Sequence, residues 1–224
     1  KAIVARRDEQ GGHNAAASDY LLLTLLWGSR RSEAVQLRWF DRCSKGELSR
    51  REVSWVWLGA ADAVNPYTGR TGPQVFMSDT KSGESRFLPV TDFAERILRR
   101  RFEGRLDDTT AKKELAAARQ LLESARKSGA SKAVIAGLQE AVEKAELEVQ
   151  RTKYVFPARS SRSKSGHYSD SKSILANVRR DAGLIDLRDE VDQGLTTHDL
   201  RRTLGRYAGL LLGASRVVSP ILHH

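Results

Sequence analysis

Four short stretches of this sequence carry side chains suited to binding or protonating an oxyanion. Arg30 lies just past the glycine that ends an apolar run, with Glu33 three residues on, an arrangement that can hold a guanidinium at the edge of a pocket. Lys81 sits in Thr80-Lys81-Ser82-Gly83, and a hairpin tip of this kind can carry a mobile ammonium into a site. His198 and Arg201 are spaced by three, which puts both on one helical face and lets both reach the same oxyanion. His224 ends the sequence after Ile221-Leu222-His223. Each has an ordinary alternative: a solvated arginine, a solubilising loop lysine, a helix-capping histidine with an ion-paired arginine, and the start of a purification tag. None of the four alone specifies a reaction.

The elements that must position them are legible from periodicity and punctuation. Ala15 to Trp27 is strongly apolar and stops at Gly28, which predicts a buried helix with a glycine cap. Ser32 to Trp39 reads as a second, short helix ended by the polar cluster Asp41 to Gly46. Val53, Trp55 and Trp57 then alternate with Glu52, Ser54 and Val56, the period of a strand. After a long turn through Asn65, Pro66, Gly69, Gly72 and Pro73, the runs Gln74 to Met77 and Ser85 to Val90 flank Lys81-Ser82-Gly83-Glu84 as a hairpin. The expected sheet is therefore small, antiparallel and three-stranded. Thr91 or Asp92 caps a helix running to about Arg105.

Residues 111–151 differ from the rest. Leu115, Ala118, Leu122 and Ala125, then Ile135, Leu138, Val142, Ala145 and Val149, recur at three- and four-residue steps, the seam of a coiled coil. Lys127-Ser128-Gly129-Ala130-Ser131 interrupts it, which predicts an antiparallel helical hairpin inserted as an arm. The serine-rich, basic stretch from Ala158 onward reads as a flexible loop entering a helix near Ser169 to Asp181. Thr196 and Thr197 precede a helix over 198–213 whose apolar face comprises Leu200, Leu204, Tyr207, Ala208 and Leu211. Gly213 closes it, and a last short helix runs from Arg216 to the end.

Composition narrows the class. The 224 residues hold 38 Lys and Arg against 28 Asp and Glu, a formal net charge of +10 that favours a polyanionic partner, with nucleic acid the first candidate. No run reaches the roughly 18 apolar residues of a membrane span, and the first residues lack the apolar stretch of a signal peptide. The lone Cys43 excludes a disulfide framework, reads as a small buried apolar residue, and fits a reducing compartment. The expectation is a cytoplasmic protein with no membrane partner.

In their order along the chain, the four stretches resemble the tyrosine recombinases, the phage integrase family. Gly28-Ser29-Arg30-Arg31-Ser32-Glu33 leading to Leu37-Arg38-Trp39 is similar to its first arginine box. Thr80-Lys81-Ser82-Gly83 followed by Phe87-Leu88-Pro89-Val90 is similar to its lysine hairpin and exit strand. His198-Asp199-Leu200-Arg201-Arg202-Thr203 matches its His-x-x-Arg box, and Val217 to His224 resembles the helix ending in Leu-x-His, with His223 at the usual glycine place. The resemblance implies the family's mainly α catalytic-domain fold over residues 1–224, with 111–151 inserted. It also implies phosphoryl transfer with neither metal nor cofactor. Arg30 and Arg201 would clamp the scissile phosphate, His198 and His224 would add hydrogen bonds and assist proton transfer, and Lys81 would protonate the departing 5′ oxygen. Glu33 would orient Arg30 or its helix.

Two departures from the family pattern shape the expectation. The family's nucleophilic tyrosine lies about nine residues after the last histidine, beyond His224, while Tyr20, Tyr67, Tyr154, Tyr168 and Tyr207 all fall elsewhere, Tyr207 on an apolar face that reads as core. The fragment should therefore bind DNA without cleaving it. The hairpin is the second departure, and it reads as a structural arm or as a contact for another protomer or an accessory protein, since recombination in this family uses four protomers on DNA. Residues 158–180 carry six Lys or Arg against one Asp, which makes Arg159, Arg162 and Lys164 candidate phosphate contacts. The expected parent is a site-specific recombinase, an integrase of a prophage or mobile element acting through a 3′-phosphotyrosine. Its rival from another class is a noncatalytic DNA-binding scaffold that works through the coiled-coil arm. A metal-dependent nuclease is the weaker rival, because Asp186, Asp189, Glu190 and Asp192 read as an acidic loop.

Overall fold

The computed structural model describes residues 3–4, 13–78, 85–158, 163–169, 172–183 and 196–212. Helix α1, His13–Trp27, runs through the middle of the core. Its run of leucines is apolar all round, and Tyr20, Leu21 and Leu23 are fully buried, as befits a helix covered on every side. Two of its polar groups have clear partners: Thr24 Oγ1 donates to the Tyr20 carbonyl at 2.8 Å, and Asp19 accepts from Arg100 of a later helix at 2.6 Å. Gly28 ends the helix at φ +55°, a left-handed conformation that favours glycine.

Helix α2 spans only Arg31–Val35, and Arg38–Trp39 form strand β1 rather than the end of a helix through Trp39. Tertiary pairing overrides the local apolar spacing here: Arg38 N bonds the Ser54 carbonyl and Trp39 N bonds that of Lys153. A 3-10 turn, Phe40–Arg42, leads into α3, Lys45–Ser49. Ser44 and Glu47 form a reciprocal capping box that starts α3 inside the stretch expected to be irregular. Cys43 is half-buried, donates to the Trp39 carbonyl at 3.4 Å, and has its thiol pushed up to about 12 by burial.

The sheet has four strands and is mixed, which corrects the expectation of three antiparallel ones. Strands β2 (Trp55–Trp57), β3 (Gln74–Met77) and β4 (Arg86–Leu88) are antiparallel, and β1 adds parallel to β2 in the order β1-β2-β3-β4. Alternation along β2 and β3 holds, but both faces are covered. Val56, Val75, Met77 and Leu88 enter the main core around α1, whereas Trp55 and Phe76 stack at 5.5 Å with Leu48 on the opposite face. Helix α4, Asp92–Glu103, is capped by Thr91 and buries Ala94, Ile97 and Leu98.

Helices α5, Asp108–Lys127, and α6, Lys132–Thr152, form the hairpin with the break where expected. Each seam residue from Leu115 to Ala145 is less exposed than its neighbours on the outer faces, and Arg119 reaches Glu146 across the pair at 2.7 Å. The root is tied down by Arg105–Asp41 and Arg42–Asp108 ion pairs.

The chain returns through a buried stretch, Tyr154 to Ala158, and this alters the reading of the basic loop. Residues 163–169 do not run loose: Tyr168 N bonds the Phe156 carbonyl at 2.8 Å, and Ala158 N bonds that of Gly166 at 2.9 Å. Gly166 has φ +71° and packs so close to Gln150 that a Cβ would meet its Cγ at 3.0 Å. Helices α7, Lys172–Asp181, and α8, Thr197–Leu212, complete the described chain, with α8 packed along α1.

Candidate anion-binding site

The site grows from the turn after Gly28. Residues 29–30 are extended, so the Arg30 amide lies ahead of α2 and is free to meet the first-turn carboxylate. Glu33 Oε2 accepts from that amide at 2.8 Å, while Oε1 accepts from Arg30 Nη1 at 3.1 Å. The carboxylate is 7% exposed, yet it holds a guanidinium that is itself partly open to solvent. Glu33 thus pairs with Arg30 at the three-residue spacing. A second cation approaches the same carboxylate: Arg86 Nη2 lies 3.3 Å from Glu33 Oε2.

Arg201 arrives from α8. It is 5% exposed, and its Nη1 donates 3.0 Å to the Gly28 carbonyl, two residues before Arg30. The fold thereby brings Arg201 against the turn that precedes Arg30, although the two are far apart in sequence. The buried Ser29 hydroxyl in the same turn has no hydrogen-bond partner among the described residues.

Thr196 sets the start of α8. Its amide and hydroxyl donate to Asp199 Oδ2 at 2.8 and 2.7 Å, and its hydroxyl accepts from the Asp199 amide. The hydroxyl bond, then the amide bond, hold the Asp199 carboxyl below its ordinary range. His198 follows in the first helical turn and is exposed, one turn before the buried Arg201. Tyr207 is not core, contrary to the periodicity reading: it is 62% exposed. Six residues past Arg201 at 100° per residue places it about 120° round the helix from that arginine.

Lys164 is exposed at the base of the basic segment. Lys81, His224, Arg159 and Arg162 lie outside the described residues, as do the acidic stretch 186–192 and the final helix expected from Arg216. Lys81 would follow β3 and precede β4, whose Arg86 contacts Glu33.

Beside Glu33 opens a polar cavity of about 280 Å³ whose lining includes Ser32, Gln36, Ser54, Tyr154, Ser165 and His167. An adjoining space of about 440 Å³ shares Ser32, Gln36 and His167 and adds Arg31, which donates to the Ser169 carbonyl. Hydroxyls, an amide and an imidazole can donate hydrogen bonds to an anion, whereas Glu33 and Glu52 on the wall of the first cavity oppose one.

Arg86 is the site residue that sequence reasoning missed. Its signal was present but faint: Arg86 and Leu88 share a face of β4, so the alternation that buries Leu88 also turns Arg86 inward. The sequence matches no protein-family model and no curated protein sequence.

Proposed function

We propose that this chain is the catalytic part of a site-specific DNA recombinase of the tyrosine type, an integrase of a prophage or other mobile element. It cuts and rejoins double-stranded DNA through a 3′-phosphotyrosine link, with the tyrosine supplied outside these 224 residues. One observation carries the reading: Arg201 donates to Gly28 and so joins the arginine box that contains Arg30. A phosphodiester passing through a five-coordinate transition state gains charge on its nonbridging oxygens, and fixed guanidinium groups stabilise that charge where it develops.

In this reading Arg30 and Arg201 grip the phosphate, and His198 and His224 donate hydrogen bonds. Lys81 protonates the leaving 5′ oxygen, and Glu33 keeps Arg30 aimed. Arg159, Arg162 and Lys164 contact flanking phosphates. The mainly helical body is the family's catalytic fold, and the α5–α6 hairpin is an added arm that meets a neighbouring protomer or an accessory protein in the tetramer on DNA. No cofactor takes part.

Equilibrium binding to a fluorescent 30-base-pair duplex, measured by anisotropy over a salt series, tests the DNA partner. Affinity is expected to fall steeply with salt, and the triple change of Arg159, Arg162 and Lys164 to alanine should shallow the log–log slope by about 2 to 3, at roughly 0.9 per phosphate lost. Arg30→Ala should weaken binding about tenfold, the scale of one charge-assisted contact. No binding, or binding indifferent to Arg30→Ala, overturns the reading.

A further inference from the structure

We infer that Arg86 is a positioning residue for Arg30, acting through Glu33, so that strand β4 sets the aim of the arginine box. The inference rests on the recombinase reading for its consequence, and on the contacts of Glu33 and Arg86 for its geometry.

Glu33 has two carboxylate oxygens and both are occupied from the Arg30 side, one by the backbone amide at 2.8 Å and one by Nη1 at 3.1 Å. Those two bonds alone leave the carboxylate tethered to a single residue, free to swing with it. Arg86 Nη2 supplies the third contact, 3.3 Å from Oε2, and it comes from a different element. That contact links α2 to the sheet.

Arg86 itself has little freedom. Its side chain is 12% exposed, it pairs with the fully buried Met77 across β3, and it faces the core side with Leu88. Its Nε is buried without a hydrogen-bond partner among the described residues. Burying a guanidinium costs several kcal/mol unless it is paired, and Glu33 is the pair that the structure gives it. A solubilising role needs no such burial. Neutralising the carboxylate from the sheet side also keeps Glu33 from cancelling the charge of Arg30, which leaves net positive charge at the pocket edge.

Arg86 begins β4, so β4 and Arg30 are joined through one carboxylate. Displacement of the strand root would be felt at Arg30 through a chain of two hydrogen bonds.

A double-mutant cycle on duplex binding tests this. Arg86→Gln is expected to weaken binding about three- to fivefold in the wild-type background and less than 1.5-fold in Arg30→Ala, because its effect passes through Arg30. Arg86→Lys, which keeps the pair with Glu33, should restore at least half of the lost affinity on a logarithmic scale. Equal weakening by Arg86→Gln in both backgrounds, or none in the wild type, overturns the inference while leaving the phosphate site intact. An Arg30→Ala protein that binds as tightly as wild type overturns the underlying reading instead. Urea unfolding of each variant at matched conditions separates the two, since a purely structural role lowers stability without the background dependence.

Discussion

Arg201 Nη1 sits 3.0 Å from the carbonyl oxygen of Gly28, a contact spanning 173 residues of sequence. It fastens α8 to the end of α1 at the point where the chain turns toward Arg30. This arginine serves the fold and, under the proposed function, the site as well, so its removal carries two separable consequences.

Arg201→Ala should destabilise the protein by about 2 kcal/mol, the scale expected when a buried carbonyl loses a charged donor. Urea unfolding followed by far-ultraviolet circular dichroism reads this. Arg201→Lys should recover part of the stability but less of the DNA affinity, because an ammonium lacks the planar fork that can hold a carbonyl and a phosphate together.

The hairpin should respond to its two glycines in opposite directions. Gly129 has φ +70°, so Gly129→Ala should cost about 1 kcal/mol through backbone strain alone. Gly137 lies inside α6 with nothing within 4 Å of an added Cβ, so Gly137→Ala should stabilise by about 0.5 to 1 kcal/mol. Thermal melts of the two variants check the signs, and duplex affinity should not change in either.

Much of this architecture is readable from residue types, and the failures share a cause. The α5–α6 seam declared itself because its burial depends only on spacing within two neighbouring helices. The end of α1 and the cap of α4 likewise follow from local chemistry at Gly28 and Thr91. Strand β1 escaped because Arg38 and Trp39 owe their conformation to Ser54 and Lys153, partners no local pattern reveals. Residues 163–169 read as loose because serine and base dominate them, yet bonds from Tyr168 to Phe156 and from Ala158 to Gly166 fix their backbone. Tyr207 shows the converse error: it falls on the apolar spacing of α8 yet is exposed. At the site, the spacing of Glu33 from Arg30 gave the pair, but Arg86 required the sheet's placement against α2.

The start of the hairpin carries a pH signature. Asp107 caps α5 by accepting from the Thr109 amide and from the amide and hydroxyl of Thr110, and these bonds lower its carboxyl to about 2. The unfolded value is about 3.9, so the cap's contribution is complete above roughly pH 5 and is lost as the pH falls toward 2. Comparing wild type with Asp107→Asn from pH 6 to 2 by circular dichroism should show the wild type losing stability relative to the variant as acid is added. A constant difference would contradict the cap.

The most direct measurement is covalent trapping. The gene carrying these 224 residues, expressed to its stop codon, is incubated with nicked duplexes of candidate attachment sequences and resolved under denaturing conditions. Recombinase chemistry yields a protein–DNA adduct that survives denaturation, forms in the presence of chelator, and disappears with Arg30→Ala or Arg201→Lys. Tight DNA binding with no adduct on any nicked substrate, or an adduct that forms equally well without Arg30, would contradict it.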